Sequence, residues 1–217
     1  MLKGLKFLVG LLLLPFCIGG GLTLARLVAQ TGDASTIWVA VLAGAACWLV
    51  VFLLLPKPMW LYVFGHELTH ALWAWLFGGQ VKRFKVTAKG GHVVVTKMNF
   101  LIGLAPYFFP LYALLVVGVY ALGDLLWDWH RYVVWFHLLL GAAYAFHVTL
   151  TAQALQVRQS DVTQQGWLFA MSVIFLGNLL VLIVGVPLLT GRTGVLSALG
   201  LWLRETGGLL QRLARWF

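Results

Sequence analysis

Residues 37 to 55 read IWVAVLAGAACWLVVFLLL and contain no charged side chain. A helix that crosses the hydrocarbon core of a bilayer needs about 20 predominantly apolar residues. Outward from this stretch in both directions, the chain has five further apolar runs of similar length. The six predicted spans are Leu5–Ala29, Ile37–Leu55, Met59–Phe77, Phe100–Leu122, Tyr132–Leu155 and Trp167–Leu189. We therefore expect an all-α polytopic membrane protein with about six transmembrane helices.

The composition supports a membrane protein and excludes several soluble classes. Of the 217 residues, 62% are hydrophobic and 10% are charged, whereas soluble domains carry about 25% charged residues. This excludes a soluble enzyme, a disordered chain and a disulfide scaffold. The net charge is +9, but the basic residues stand between apolar runs, where they fit lipid headgroups better than nucleic acid. We expect one integral membrane domain over residues 1–217, with the lipid bilayer as a partner and no nucleic acid.

The two ends of the chain carry different signals. Lys3 and Lys6 precede the apolar run Phe7–Ile18, a pattern that also occurs in secretory signal peptides. The full apolar run is long for that purpose, so we favour a retained first span and leave a cleaved one open. Residues 194–217 form an amphipathic tail, for which we expect an interfacial helix. Its apolar face comprises Leu209, Leu210, Leu213, Trp216 and Phe217.

A basic segment of a different kind, Gln80–Lys97, follows the third predicted span. Apolar and basic residues alternate there around the dipeptide Gly90-Gly91. Alternation on both sides of a glycine pair is typical of a β-hairpin. Its basic members are Lys82, Arg83, Lys85, Lys89 and Lys97. The sequence therefore predicts a small β-hairpin after the third helix.

The residues that indicate chemistry lie in the third predicted span, in the sequence Gly65-His66-Glu67-Leu68-Thr69-His70. On a helix, His66 and His70 stand one turn apart on the same face, so that both imidazoles can bind one Zn²⁺ ion. Glu67 lies beside them and is suited to act as a general base toward water. Ionisable residues inside a membrane span are costly and indicate function. We expect a zinc site, with buried core histidines as the alternative interpretation.

Zinc in a catalytic site needs a third protein ligand, and two residues compete for this role. Asp161 follows the fifth predicted span on the same side of the membrane as the hairpin, and is the best-placed carboxylate. His147 lies in the middle of that span. On one helix the two would be about 21 Å apart, so both cannot bind the same ion. We favour Asp161 and leave His147 as the rival ligand.

The motif at residues 65–71, the basic hairpin, Asn99-Phe100 at the start of a proline-containing span and the distant Asp161 together resemble the site-2 protease family of intramembrane zinc metalloproteases. The resemblance covers residues 59–166. It implies a catalytic core of three spans, a hairpin beside the active site and cleavage of a partner's transmembrane helix. By position, His66 and His70 match the zinc histidines, Glu67 the base and Asp161 the third ligand.

These observations predict an intramembrane zinc metalloendopeptidase in a multi-pass membrane protein. We expect a membrane protein or peptide as substrate, and a bacterial-type cytoplasmic membrane with the active site open toward the hairpin side. Two alternatives remain. A catalytically inactive relative would act as a membrane scaffold, and an ion transporter would use the same polar residues as an ion path.

Overall fold

The computed structural model of the chain describes residues 3–87 and 90–215, and for Asp33 it describes the backbone alone. The chain divides into two compact units, Met1–Ser35 with Ser160–Phe217, and Thr36–Gln159. In chain order the elements are α1 (Lys3–Ala29), α2 (Ser35–Leu54), α3 (Met59–Leu76), β1 (Val81–Thr87), β2 (Gly90–Val95), α4 (Phe100–Leu104), α5 (Leu111–Trp127), α6 (Val133–Leu155), α7 (Ser160–Gln165), α8 (Trp167–Thr190) and α9 (Val195–Ala214). The protein is thus mostly helical, with one antiparallel hairpin.

Four helical stretches of the described chain are long and apolar enough to cross a membrane, namely Lys3–Ala29, Ser35–Leu54, Trp129–Leu155 and Trp167–Thr190. A fifth is added if α4 and α5 form one broken span. Helix α3 is not among them, because its two histidines and its glutamate lower its mean hydropathy. Several long apolar helices are compatible with a multi-pass membrane protein, and the count of six spans stays a prediction.

The predicted span Phe100–Leu122 is broken in the structure. Its first part, Phe100–Tyr107, and α5 meet at an angle of 77°. Pro106 and Pro110 lie at the break, where proline lacks the N–H group that continues a helix. Helix α5 then runs on to Trp127, beyond the predicted end of the span at Leu122. The predicted span therefore corresponds to two helical parts that meet at this bend.

In the unit that contains both termini, α1 packs against α8 and α9 through small residues. A Cβ atom on Gly10 would lie 3.0 Å from the backbone N of Phe169, and one on Gly19 would lie 2.9 Å from the backbone N of Thr206. Glycines of this kind let helices approach closely in membrane proteins. The α1–α9 contact also includes an ion pair between Arg26 and Glu205 at 2.7 Å.

The predicted C-terminal helix is present as α9 and packs on α1. The Trp202 indole N–H donates a hydrogen bond to the carbonyl of Phe16, at 2.9 Å. Leu196, Leu203 and Leu210 of α9 are exposed at seven-residue intervals, which places them on one face of the helix. Trp216 and Phe217, predicted on the apolar face, lie outside the described residues. An interfacial position for α9 stays a prediction.

In the other unit, α2 and α6 are in close contact. A Cβ atom on Gly44 would overlap the carbonyl of Leu138, and one on Gly141 would overlap that of Val41. The Trp48 indole N–H donates a hydrogen bond to the Thr149 hydroxyl, at 2.8 Å. A buried cluster of Tyr62, Phe146 and Leu150 links these helices to α3. The core of this unit therefore supports the helix that carries the His66–His70 motif.

The predicted hairpin is confirmed as β1 and β2, antiparallel, with Phe84 opposite Val93, Lys85 opposite His92 and Val86 opposite Gly91. The register shifts between Val81 and Arg83. The hairpin packs on α3, where the Phe84 and Phe64 rings meet edge to face at 6.0 Å.

Candidate metal centre

The three motif residues lie on α3, as the sequence predicts. Glu67 and His70 are buried and His66 is half-buried. Around His66, the rings of Tyr62 and Tyr107 lie 6.0 and 5.2 Å away between centroids. The polar face of α3 is therefore enclosed within its unit.

The two imidazoles converge on one point through their Nε2 atoms. These atoms are 3.2 Å apart, and the ring planes are nearly perpendicular. Two nitrogens that bind one tetrahedral zinc at 2.0–2.1 Å would be about 3.3 Å apart. The same separation also suits a hydrogen bond between the rings. The spacing of the histidines thus fits a metal ion or an imidazole pair.

The orientation of His70 is set by its other nitrogen. Nδ1 lies 2.8 Å from the carbonyl oxygen of Ile102, a buried residue of α4. Because a carbonyl only accepts, Nδ1 carries the proton and Nε2 keeps its lone pair. A histidine that binds a metal usually donates its second N–H in this way.

Helix α4 is itself held at its N-terminus. The Asn99 side-chain carbonyl accepts a hydrogen bond from the backbone N–H of Ile102, at 2.8 Å, and so caps the helix. Asn99 therefore orders the residue whose carbonyl holds His70. This contact was not predicted from the sequence, although asparagine before an apolar helix is an N-cap signal.

The carboxyl side chain of Glu67 lies against the hairpin. A Cβ atom on Gly91 of β2 would be 2.8 Å from Cγ of Glu67 and 2.9 Å from Cγ1 of Val63. A larger residue than glycine at position 91 would therefore press on Glu67. The sequence indicated Gly91 only as part of a turn, whereas the structure shows it at the close approach of β2 to α3.

No protein family, curated protein or solved structure matches this chain.

His147, the rival ligand, is buried on α6 in the same unit as the two motif histidines. A small cavity is lined by both His66 and His147. Its other lining residues include Tyr62, Thr69, Pro106 and Tyr112. The Tyr112 hydroxyl donates a hydrogen bond to the carbonyl of Leu61, at 2.6 Å, and the ring covers Gly65. His147 therefore lines the same cavity as His66.

Asp161, the favoured third ligand, lies in the first turn of α7. Helix α6 ends at Leu155, and residues 156–159 separate it from α7. By sequence position Asp161 belongs to the unit with both termini, two residues beyond the unit that carries His66 and His70. Its assignment as a ligand stays a prediction.

Proposed function

We propose that the protein is an intramembrane zinc metalloendopeptidase. The observation that carries the proposal is the convergence of the His66 and His70 Nε2 atoms, with His70 held by the Ile102 carbonyl. Glu67 is one helical position from His66 and is buried.

The donor set is suited to zinc. His66, His70 and Asp161 offer two imidazole nitrogens and one carboxylate oxygen, which are ligand types that Zn²⁺ accepts in catalytic sites. A bound Zn²⁺ ion would polarise the scissile carbonyl and lower the pKa of water. We propose Asp161 as the third ligand, on its acidic character and its order in the chain.

Glu67 would perform the proton transfers. Its carboxylate accepts a proton from the attacking water and passes that proton to the amine that leaves when the peptide bond breaks. The close approach of Gly91 limits the positions that the Glu67 side chain can take. Such a restriction helps to keep the carboxylate within hydrogen-bond distance of the water that it would deprotonate.

The hairpin is suited to hold the substrate. A helical substrate must be unwound before its backbone can be attacked, and an exposed strand edge can bind the extended chain through main-chain hydrogen bonds. In the described residues, β1 pairs with β2 alone. We propose a membrane protein or peptide as substrate and a multi-pass location in a bacterial-type cytoplasmic membrane.

The central test uses the full-length protein in vesicles with a synthetic transmembrane peptide. Glu67→Gln should keep zinc, measured by elemental analysis, and should lower the rate of cleavage about 10²–10⁴-fold, because a general base contributes that much. His66→Ala with His70→Ala should lose both zinc and cleavage. The chain offers a matched control in its other glutamate, Glu205, so that Glu205→Gln should keep both.

Each alternative function has its own outcome. Cleavage by Glu67→Gln within a few-fold of the unmodified protein would remove Glu67 from the mechanism. An inactive scaffold predicts that no peptide is cleaved while the biological role persists in Glu67→Gln. A transporter predicts ion flux across sealed vesicles that is lost with the same substitutions.

A further inference from the structure

The hairpin presents two faces of different chemistry. Phe84 and Gly91 point toward α3, where they meet Phe64 and Glu67 respectively. Because side chains alternate along a strand, Arg83 and Lys85 lie on the opposite face, across from Val94 and His92. Both basic residues are exposed. Over residues 83–86, where the pairing is regular, the outer face of β1 is therefore basic, whereas the inner face is apolar and lies toward the proposed base.

The basic outer face has no acidic counterpart nearby in the sequence. Residues 80–97 contain five basic residues and no Asp or Glu. In the part of the chain that the structure describes, Arg83 and Lys85 form no salt bridge. Lys97 differs, because its ammonium group donates a hydrogen bond to the carbonyl of Phe77, at 3.1 Å. Arg83 and Lys85 therefore remain available to a ligand on the outer face of β1.

The edge of β1 provides the geometry for recognition. A strand added to that edge would place alternate side chains beside Arg83 and Lys85, which stand two residues, about 6.6–6.8 Å, apart on one face. Its other side chains would lie on the inner, apolar face. The matching peptide therefore has acidic residues at two alternate positions, with apolar residues between them.

We propose that β1 selects extended substrate segments that carry Asp or Glu at alternate positions next to the scissile bond. This inference rests on the proposed function and names the substrate class of the same site. Charge complementarity identifies the occupant, and the contact of Gly91 with Glu67 connects the recognised segment to the proposed base. An anionic lipid headgroup would neutralise the two charges, but it has no peptide backbone that could pair with the edge of β1.

The test measures binding rather than cleavage, on the full-length Glu67→Gln protein in phosphatidylcholine vesicles. Three dansyl-labelled peptides share one transmembrane segment and differ at two alternate flanking positions, which carry Glu, Gln or Lys. Energy transfer from the protein's 11 tryptophans reports binding. We expect the Glu peptide to bind about three- to tenfold more tightly than the Gln peptide, because exposed charge pairs contribute modestly. The Lys peptide should bind most weakly.

Two double variants each remove two positive charges, one pair from β1 and the other pair from α9. Arg83→Gln with Lys85→Gln should abolish the preference for the Glu peptide. Arg204→Gln with Arg212→Gln, which alters exposed residues of α9, should keep it. Equal binding of the three peptides, or an unchanged preference in the hairpin variant, would overturn the inference.

The remaining outcomes separate this inference from its alternatives. If added phosphatidylglycerol removes the preference, the basic face binds lipid headgroups and the inference is wrong. If the protein shows no preference for the Glu peptide but the unmodified protein still cleaves peptides through Glu67, only the proposed substrate class is wrong. If the unmodified protein cleaves none of the three peptides but keeps the binding preference, the proposed function is overturned instead.

Discussion

The His70 imidazole is held through one of its nitrogens, which leaves the other for a ligand. The acceptor is the main-chain carbonyl of Ile102, so a change of the Ile102 side chain would not remove the contact. The side chain of Asn99, which caps the helix at Ile102, can instead be changed by mutation. At this scale the site depends on a short series of hydrogen bonds, from Asn99 through Ile102 to His70.

Replacing Asn99 with Ala should therefore weaken zinc binding. Loss of an N-cap costs about 0.5–2 kcal/mol, and α4 has only five residues, so its first turn would fray. Changes that disorient a metal ligand lower metal affinity about 10–100-fold. Because Asn99 acts on His70 only through Ile102, we expect zinc affinity to fall about tenfold. Competition with a chelator measures affinity, and the absorption bands of bound Co²⁺ report ligand geometry.

Conservative variants distinguish positioning by Asn99 from general damage. Asn99→Ser and Asn99→Asp retain a capping oxygen and should restore affinity and the Co²⁺ spectrum. The other asparagine of the chain, Asn178, lies on α8, and Asn178→Ala should leave zinc binding unchanged. Equal affinity in Asn99→Ala and the unmodified protein would exclude the positioning role.

Between elements, the decisive contact is that of β2 with α3. Strand β2 approaches the helix at Gly91, where an added Cβ atom would lie 2.8 Å from Cγ of Glu67, so the approach depends on the absence of a side chain. Antiparallel pairing with β1 holds this approach in register, with Gly91 opposite Val86. The hairpin thus limits the space around Glu67 as well as offering an edge to the substrate.

Gly91→Ala should lower the rate of peptide cleavage about tenfold or more and leave zinc content unchanged. The added methyl group would lie 2.8 Å from Cγ of Glu67 and from the carbonyl oxygen of Lys85, so the hairpin or the carboxylate must move. Gly118→Ala on α5 is the control, since its Cβ would meet no atom within 4 Å. A normal cleavage rate in Gly91→Ala would show that this contact is not needed.

For the whole molecule, the two candidates for the third ligand differ in the unit to which they belong. His147 lies in the unit with the two motif histidines, and Asp161 belongs to the other one by sequence position. If His147 binds the metal in place of Asp161, residues 36–159 contain all three protein ligands.

We predict that Asp161→Ala loses stoichiometric zinc, because two protein ligands would remain. His147→Ala should lower affinity about 10–100-fold at most, as expected for a residue that acts beside the ligands. Chelator competition on the full-length variants gives both values. The reverse order of affinities would assign the third ligand to His147.

The sequence by itself determined the helical class, the hairpin and the pairing of His66 with His70. These features follow from local periodicity: apolar runs of bilayer length, alternation about Gly90-Gly91, and a four-residue spacing that places two histidines on one helical face. Each depends on neighbours in the chain, so it can be inferred without knowing the tertiary contacts.

Only the tertiary structure decided how the His66–His70 pair is oriented and enclosed. The Ile102 carbonyl is 32 residues from His70, and Gly91 reaches Glu67 through strand pairing and packing of the hairpin on α3. The sequence shows Pro106 and Pro110, which indicate a bend, but it does not give the angle of 77°. Contacts between distant segments depend on how helices pack, and periodicity along the chain carries no information on that packing.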